Sequence, residues 1–185
     1  YEIFRNSSFS ISASSDDWKE KLVDQLPESV AYIFKAAIER FNTIEQDVLL
    51  RRLYAYLLNI TMPDFDLLIV DEAHNFKHGT QGEVSYRNQV VSRLMGVIYA
   101  EDEVIFREFP ELKAKLKPLS GKVILLSATP LDNGVYEIAN QLDCFLPVHP
   151  YRNLETEAKS KKIKEDLGTF MIRGVMNIKL SGESM

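Results

Sequence analysis

The sequence contains a single cysteine, Cys144, among its 185 residues. One thiol can form neither a disulfide within the chain nor a zinc cluster built from several cysteines, and a single free cysteine is most often a buried, apolar side chain. The sequence also lacks an apolar run of membrane-spanning length and a signal-peptide pattern. These absences favour a soluble protein of a reducing compartment, in the cytoplasm, the nucleoid or the nucleus, with no membrane partner.

An excess of basic residues is missing as well. The chain has 22 Lys and Arg against 27 Asp and Glu, a net charge of -5. The whole chain therefore gives no electrostatic signal for nucleic acid, although a local basic surface is compatible with this composition. Hydrophobic residues make up 45% of the sequence, enough for one domain with a substantial core. The chain begins at Tyr1 rather than at methionine, which predicts a segment of a longer protein.

The first 63 residues predict one short strand followed by three helices. Residues 9–13 alternate apolar residues with serine, as a half-exposed strand does. Helices are predicted over residues 16–27, 28–41 and 43–58, the third beginning with a capping box formed by Thr43 and Gln46. We interpret the aromatic side chains of these helices mainly as core or half-buried residues, namely Trp18, Tyr32, Tyr54 and Tyr56.

Two short apolar runs predict the strands of a parallel sheet. Residues 67–70 and 122–126 are rich in branched apolar residues without polar alternation, which is typical of strands buried on both faces. Between and after them, helical spacing predicts a helix over 84–99, an amphipathic stretch over 101–119 and a helix over 135–145. The expected fold class is α/β, with a parallel sheet flanked by helices and extra helices at the N-terminal side.

The first predicted strand ends at two adjacent carboxylates, Asp71 and Glu72. In open α/β sheets, ligands bind outside the carboxyl ends of the strands, where these side chains are expected to lie. Mg²⁺ is commonly held by one or two carboxylates together with substrate phosphates, which makes Asp71 a candidate metal ligand. Glu72 is then a candidate for orienting or deprotonating a nucleophile. An ordinary junction between a strand and a solvated loop is the alternative interpretation.

Two motifs together resemble a known family. Asp71-Glu72-Ala73-His74 after an apolar strand resembles the Walker B box of the superfamily-two helicases and translocases. Ser127-Ala128-Thr129, at the end of the second predicted strand, resembles motif III of the same superfamily. The residues after it are similar to the corresponding segment of the SWI/SNF-like branch: Pro130-Leu131, Asn133, Glu137, Leu142 and Phe145-Leu146-Pro147.

The resemblance implies a RecA-like lobe of an ATP-dependent translocase or helicase that acts on double-stranded DNA. By this resemblance Asp71 binds Mg²⁺, Glu72 activates the attacking water, and His74 connects the nucleotide site to Ser127-Ala128-Thr129. That element couples hydrolysis to the grip on nucleic acid. A metal carboxylate and a water-orienting carboxylate are also what phosphoryl transfer requires, because it depends mainly on positioning and charge neutralisation.

The resemblance divides the chain into three parts. Residues 1–63 form an N-terminal strand and helical part without a recognised motif, 64–150 a RecA-like core with both motifs, and 151–185 a tail towards a second lobe. In the tail, residues 167–173 resemble the stretch that ends in paired arginines between the two lobes. Arg173 is a candidate inter-lobe residue, although Gly174 stands at the second arginine position. The long interval between the two motifs predicts an insertion within 84–119.

One requirement of ATP hydrolysis is missing from the sequence. No glycine-rich loop ending in Gly-Lys-Ser/Thr occurs to cradle the phosphates, and little chain follows Gly174 to form a second lobe with its arginine finger. We therefore expect the isolated chain to bind ATP weakly or not at all, and not to hydrolyse it. A non-catalytic interaction module with the same fold is one alternative.

A metal-dependent hydrolase that uses His74 and His78 is a second alternative. The two histidines are four residues apart and could share a helix face. Zinc proteases of the His-Glu-x-x-His type place the glutamate directly after the first histidine, whereas Glu72 precedes His74. This order makes the hydrolase the weaker alternative.

Overall fold

A computed structural model describes residues 18–80, 86–128 and 133–167 of the chain. Most of these residues are helical, and the only sheet among them has two parallel strands. In chain order the elements are α1 (Trp18–Gln25), α2 (Glu28–Arg40), a 3-10 turn (Ile44–Gln46), α3 (Asp47–Thr61), β1 (Leu68–Val70), a 3-10 turn (Ala73–Phe76), α4 (Tyr86–Leu94), a 3-10 turn (Ala100–Asp102), α5 (Glu103–Glu108), α6 (Pro110–Lys113), β2 (Val123–Leu125), α7 (Tyr136–Phe145) and α8 (Thr156–Leu167). Across the described ranges, every helix is too short or too polar to cross a membrane.

Helices α1, α2, α3, α5 and α6 pack into a helical layer that contains the largest of the three hydrophobic cores found in the described residues. Its centre contains Phe34 and Leu50, both with no exposed surface. Aromatic pairs join the helices: Phe34 meets Tyr54 edge-on at 5.7 Å between ring centroids, and Tyr56 lies 5.1 Å from Phe106. The second predicted helix is confirmed as α2, and its buried side chains form an apolar stripe along one side of this core: Val30, Ile33, Phe34 and Ala37.

The third predicted helix is confirmed with different ends. The polypeptide makes a 3-10 turn before α3, and Gln46 Oε1 accepts a hydrogen bond from the Thr43 N–H at 3.4 Å. The helix continues to Thr61, beyond the predicted end at residue 58. Of the aromatic residues predicted to pack, Tyr32 is the exception, with 59% of its surface exposed. The strand predicted over residues 9–13 lies outside the described residues.

Strands β1 and β2 pair in parallel, with Ile69 opposite Ile124. This small parallel sheet in a mostly helical structure is compatible with a partial α/β fold, whereas the expected burial of the strands on both faces was wrong. Inward-facing side chains such as Val70 pack against α4 and α7. The opposite face exposes four branched apolar side chains: Leu67 at 44%, Ile69 at 59%, Ile124 at 44% and Leu126 at 46%. The helices that cover the sheet all lie on one side, and no described element covers the other.

The helices in the connection between β1 and β2 are shorter and more often interrupted than the sequence predicted. The helix predicted over 84–99 ends at Leu94, because Gly96 has a φ of +94° and a Cβ atom there would collide with the Lys117 carbonyl. The amphipathic stretch predicted over 101–119 contains only the short helices α5 and α6, which meet at Phe109 before Pro110. Both breaks depend on local backbone geometry that side-chain periodicity does not report.

A buried ion pair holds this connection to the helical layer. Arg93 Nε donates to Asp102 Oδ2 at 2.6 Å, and the two side chains are 1% and 0% exposed. The Tyr56 hydroxyl donates to the same carboxylate at 2.7 Å. Burial, followed by the nearby charge of Asp102, raises the pKa of Tyr56. Burial of the Arg93 charge is possible because its partner Asp102, eight residues beyond the end of α4, compensates it.

Candidate functional site

The carboxylates of the first motif lie at the carboxyl end of β1, as predicted. Asp71 and Glu72 are both exposed, and Asp71 Oδ1 accepts a hydrogen bond from the Glu72 N–H at 2.9 Å. Glu72 has a φ of 53°, in the left-handed region that residues other than glycine seldom adopt. Immediately afterwards the Ala73 N–H donates to the Leu126 carbonyl at 2.9 Å. The motif therefore turns sharply out of the sheet while its backbone is fixed to the end of β2.

His74 brings the two sequence motifs together. Its Nδ1 atom lies 3.1 Å from Glu72 Oε2 and 3.3 Å from Ser127 Oγ, although Ser127 is 53 residues further along the chain. Without a proton, Nδ1 accepts a hydrogen bond from the serine hydroxyl; with a proton, it donates to the carboxylate. One ring nitrogen therefore stands between the candidate water-activating group and the candidate coupling element.

The rest of the second motif is described in part. Ser127 and Ala128 lie two and three residues beyond the end of β2, whereas Thr129 and the possible inter-lobe residue Arg173 lie outside the described residues. Glu137, in the first turn of α7 and only 2% exposed, accepts hydrogen bonds from the backbone and side-chain amides of Asn133 at 3.3 and 3.1 Å. This contact ties the chain after the motif to the start of α7.

The segment after the first motif is held by two side chains of α4 that the sequence analysis did not identify. Arg87 Nη2 donates to the Asn75 carbonyl at 2.8 Å, and its guanidinium lies over the Phe76 ring. The buried Asn88 Nδ2 donates to the Gly79 carbonyl at 2.9 Å. Sequence spacing gives no signal for either side chain, because each binds a backbone carbonyl in a different segment of the chain.

The residues at the end of β1 fit a magnesium ion in their donor chemistry. Mg²⁺ prefers oxygen ligands and usually retains water or substrate phosphates, so an exposed carboxylate such as Asp71 suits it without a complete protein cage. No group of three or more His, Cys, Asp or Glu side chains that could hold a metal occurs in the described residues. The second histidine of the hydrolase alternative, His78, is exposed and lies two residues beyond the 3-10 turn that contains His74.

A polar cavity of about 240 Å³ lies beside the candidate site and includes His78, Thr80, Asn140 and Lys159 among its lining residues. It contains none of the carboxylates or hydroxyls of the two motifs. Its buried charges are already paired, since the Asp143 carboxylate contacts His149 Nε2 at 2.8 Å and Lys159 Nζ at 3.1 Å. We interpret this cluster as the attachment of α8 to α7.

The single cysteine lies at the end of α7, next to Asp143. Cys144 is fully buried, as predicted, and burial, assisted by the Asp143 carboxylate, raises the pKa of its thiol to about 12. A thiol that stays protonated at neutral pH is a poor nucleophile and a poor metal ligand. Cys144 is therefore a packing residue of the core beneath the sheet.

Comparison with known proteins gives no relative. No protein-family model matches the sequence, and neither the curated proteins nor the solved structures searched contain a match. The functional interpretation consequently depends on the two motifs, their contact through His74 and the chemistry of the side chains involved.

Proposed function

We propose that this chain is part of the first RecA-like lobe of an ATP-dependent motor that moves on double-stranded DNA, of the SWI/SNF-like branch. The observation that carries the proposal is the placement of His74 between Glu72 and Ser127. Two motifs that resemble consecutive elements of such motors stand at the same ends of two adjacent parallel strands, and one side chain joins them. The resemblance of the sequence assigned this same linking role to His74.

The proposed roles follow from the position of each side chain. Asp71, exposed at the strand end, would hold Mg²⁺, which when bound supplies charge neutralisation for the phosphates. Glu72 would orient the attacking water and accept its proton. His74, which contacts the Glu72 carboxylate, would pass a change at that carboxylate to Ser127 and from there to α7. These roles need only positioned charges, in keeping with the loose transition state of phosphoryl transfer.

Two further parts of the motor must be supplied by residues other than these 185. The phosphates of ATP need a Gly-Lys-Ser/Thr loop, and the opposite side of the nucleotide needs a second lobe, with Arg173 a candidate contact towards it. The proposed cofactors are thus Mg²⁺ and ATP, and the proposed partners are DNA and that second lobe. Without these parts the chain would bind ATP weakly and would not hydrolyse it.

A non-catalytic interaction module with the same lobe fold is the second candidate. The missing phosphate loop favours it, because a lobe that never hydrolyses ATP has no need for that loop. The two candidates differ in their dependence on Glu72. A motor requires this carboxylate for turnover, whereas a binding module does not.

The test uses the product of the complete gene and measures ATP hydrolysis with and without double-stranded DNA. We expect DNA-stimulated turnover that falls at least about 100-fold in Glu72→Gln, with ATP binding retained, because the carboxylate acts on the water rather than on the nucleotide. Glu111→Gln is the matched control, since Glu111 is an exposed residue of α6 in the helical layer. A gene product without a phosphate loop, or turnover that is equal in the two variants, would contradict the motor and favour the interaction module.

A further inference from the structure

Helix α7 reaches back to the first motif through Asn140. The helix follows the Ser127 segment in the chain, and Asn140 Nδ2 donates a hydrogen bond to the Lys77 carbonyl at 3.0 Å. Lys77 lies three residues beyond His74. This contact therefore connects the segments that follow the two motifs, in addition to the contact between His74 and Ser127 and the backbone bond between Ala73 and Leu126.

Gly79 allows Asn140 to come this close. Gly79 has a φ of +68°, and a Cβ atom there would lie 3.0 Å from the Asn140 Cβ. A side chain at position 79 would be strained in its backbone and would press on Asn140. The glycine and the hydrogen bond to Lys77 together fix the asparagine against the segment that follows the motif.

Two hydrogen bonds flank His74 in the chain, and their partners come before and after Ser127 in the sequence. Upstream, the Ala73 N–H is bound to the carbonyl of Leu126, the residue before Ser127. Downstream, the Lys77 carbonyl is bound by α7, the helix after Ser127. The bonds from Arg87 and Asn88 differ in kind, since they attach the same segment to α4.

We propose that Asn140 is a positioning residue that keeps His74 against Ser127. The inference rests on the proposed function for the role of His74. Loss of the Asn140 amide would leave the Ala73 bond in place but would detach the downstream end of the turn from α7, so that this end is held by α4 through Arg87 and Asn88. The Nδ1 atom of His74 would then move away from the Ser127 hydroxyl.

The test follows the imidazole nitrogen signals of His74 by NMR in the 185-residue chain at one fixed pH and without nucleotide. Asn140→Asp keeps the shape of the side chain and removes the donor. Asn59→Ala is the control, because Asn59 is an asparagine whose side-chain amide also binds backbone carbonyls, those of Leu94 and Lys117, but away from the motif. Ser127→Ala gives the signal of His74 without its hydroxyl partner.

We expect Asn140→Asp to shift the His74 Nδ1 signal to the position found in Ser127→Ala, and the double variant to show no further shift. Asn59→Ala lowers the unfolding midpoint but leaves the His74 signal unchanged, and it retains the full response to Ser127→Ala. An unshifted His74 signal in Asn140→Asp, or a full response to Ser127→Ala in that background, would overturn the proposal.

A second variant keeps the test decisive if Asn140→Asp unfolds the chain. Gly79→Ala leaves the amide intact but pushes the turn away from Asn140, and we expect the same shift of the His74 signal. An unshifted signal in a folded Gly79→Ala variant would also count against the positioning role. None of these measurements uses ATP or DNA, so a failure of the motor proposal is separate from a failure of this inference.

Discussion

The helical layer of α1, α2, α3, α5 and α6 encloses its core, whereas the sheet of β1 and β2 has a covered face and an open one. Phe34 and Leu50 have no exposed surface in the helical layer, but Ile69 and Ile124 of the sheet are 59% and 44% exposed. Burial of apolar surface is the main source of stability. This difference in burial indicates that the helical layer is the main source of stability, whereas the motif residues lie at the end of a sheet that is covered on one face only.

Charged groups differ between the two regions in the same way. The carboxylate of Asp102 is buried and bound by both Arg93 and Tyr56, which indicates a structural role. Asp71 and Glu72 are exposed at the end of β1, where solvent and ligands can reach them. The buried pair therefore serves stability, and the exposed pair is available for chemistry.

The largest expected effect comes from breaking the buried charge network. In Asp102→Ala the guanidinium of Arg93 stays buried without its main partner, and we expect a loss of about 3–5 kcal/mol in the free energy of unfolding. The measurement is urea denaturation followed by circular dichroism. Lys113→Ala is the control, because it breaks an exposed ion pair with Glu103 and should cost less than about 1 kcal/mol. Equal losses in the two variants would show that the network is not a structural anchor.

The second prediction compares the enclosed core with the open face of the sheet. Leu50→Ala should reduce the free energy of unfolding by about 2–5 kcal/mol, since it leaves a cavity among buried neighbours. Ile69→Ala should change it by about 0.5 kcal/mol or less, as an exposed substitution does. Urea denaturation of both variants measures the difference. A loss in Ile69→Ala as large as that in Leu50→Ala would mean that the open face is covered in solution.

The smallest effect concerns the attachment of α8 through Asp143. Burial raises the pKa of this carboxyl, but the hydrogen bonds from His149 and Lys159 outweigh burial, and the pKa lies below its ordinary value. The folded state thus binds this proton more weakly than the unfolded state. The contribution to stability is present above the ordinary carboxyl pKa of about 3.9 and is lost as the pH falls below it.

Asp143→Asn should therefore lower the unfolding free energy at pH 7, by about 1.5–3 kcal/mol for lost hydrogen bonds to a charged group, and should flatten its decline in acid. Urea denaturation between pH 3 and pH 7 tests both expectations. Asp64→Asn is the control, since Asp64 forms only an exposed pair with Lys117. If the unfolding free energy of Asp143→Asn declined in acid as steeply as that of the parent chain, Asp143 would not be the group responsible for the decline.

Side-chain periodicity predicted the elements whose partners are regular. The stripe of α2, the two apolar strands and α7 all appear where the sequence placed them, because each buries a face that local spacing reveals. The end of α4 could not be found this way, since it depends on Gly96 lying against the Lys117 carbonyl. Helix α8 was also missed, because its buried residues are only Lys159 and Ile163 and most of its other residues are polar.

For the candidate site, the sequence predicted which residues lie at the strand ends and that His74 faces the second motif. The contact with Ser127 agrees with that expectation. The supporting residues Asn88 and Asn140 were not predicted. Asn88 binds the carbonyl of Gly79 in the loop before α4, and Asn140 binds the carbonyl of Lys77, which is 63 residues away in the sequence. Such bonds depend on the packing of α4 and α7 rather than on a motif.

The most direct test of the central claim is ATP turnover by the 185-residue chain itself, with Mg²⁺ and with or without double-stranded DNA. We propose that Asp71, Glu72 and His74 are placed for ATP hydrolysis but that these residues lack the phosphate loop and the second lobe. We therefore expect turnover to stay at the background level and to be the same in Glu72→Gln. Hydrolysis that DNA stimulates and that Glu72→Gln abolishes would contradict this proposal, because the chain would then contain a complete active site.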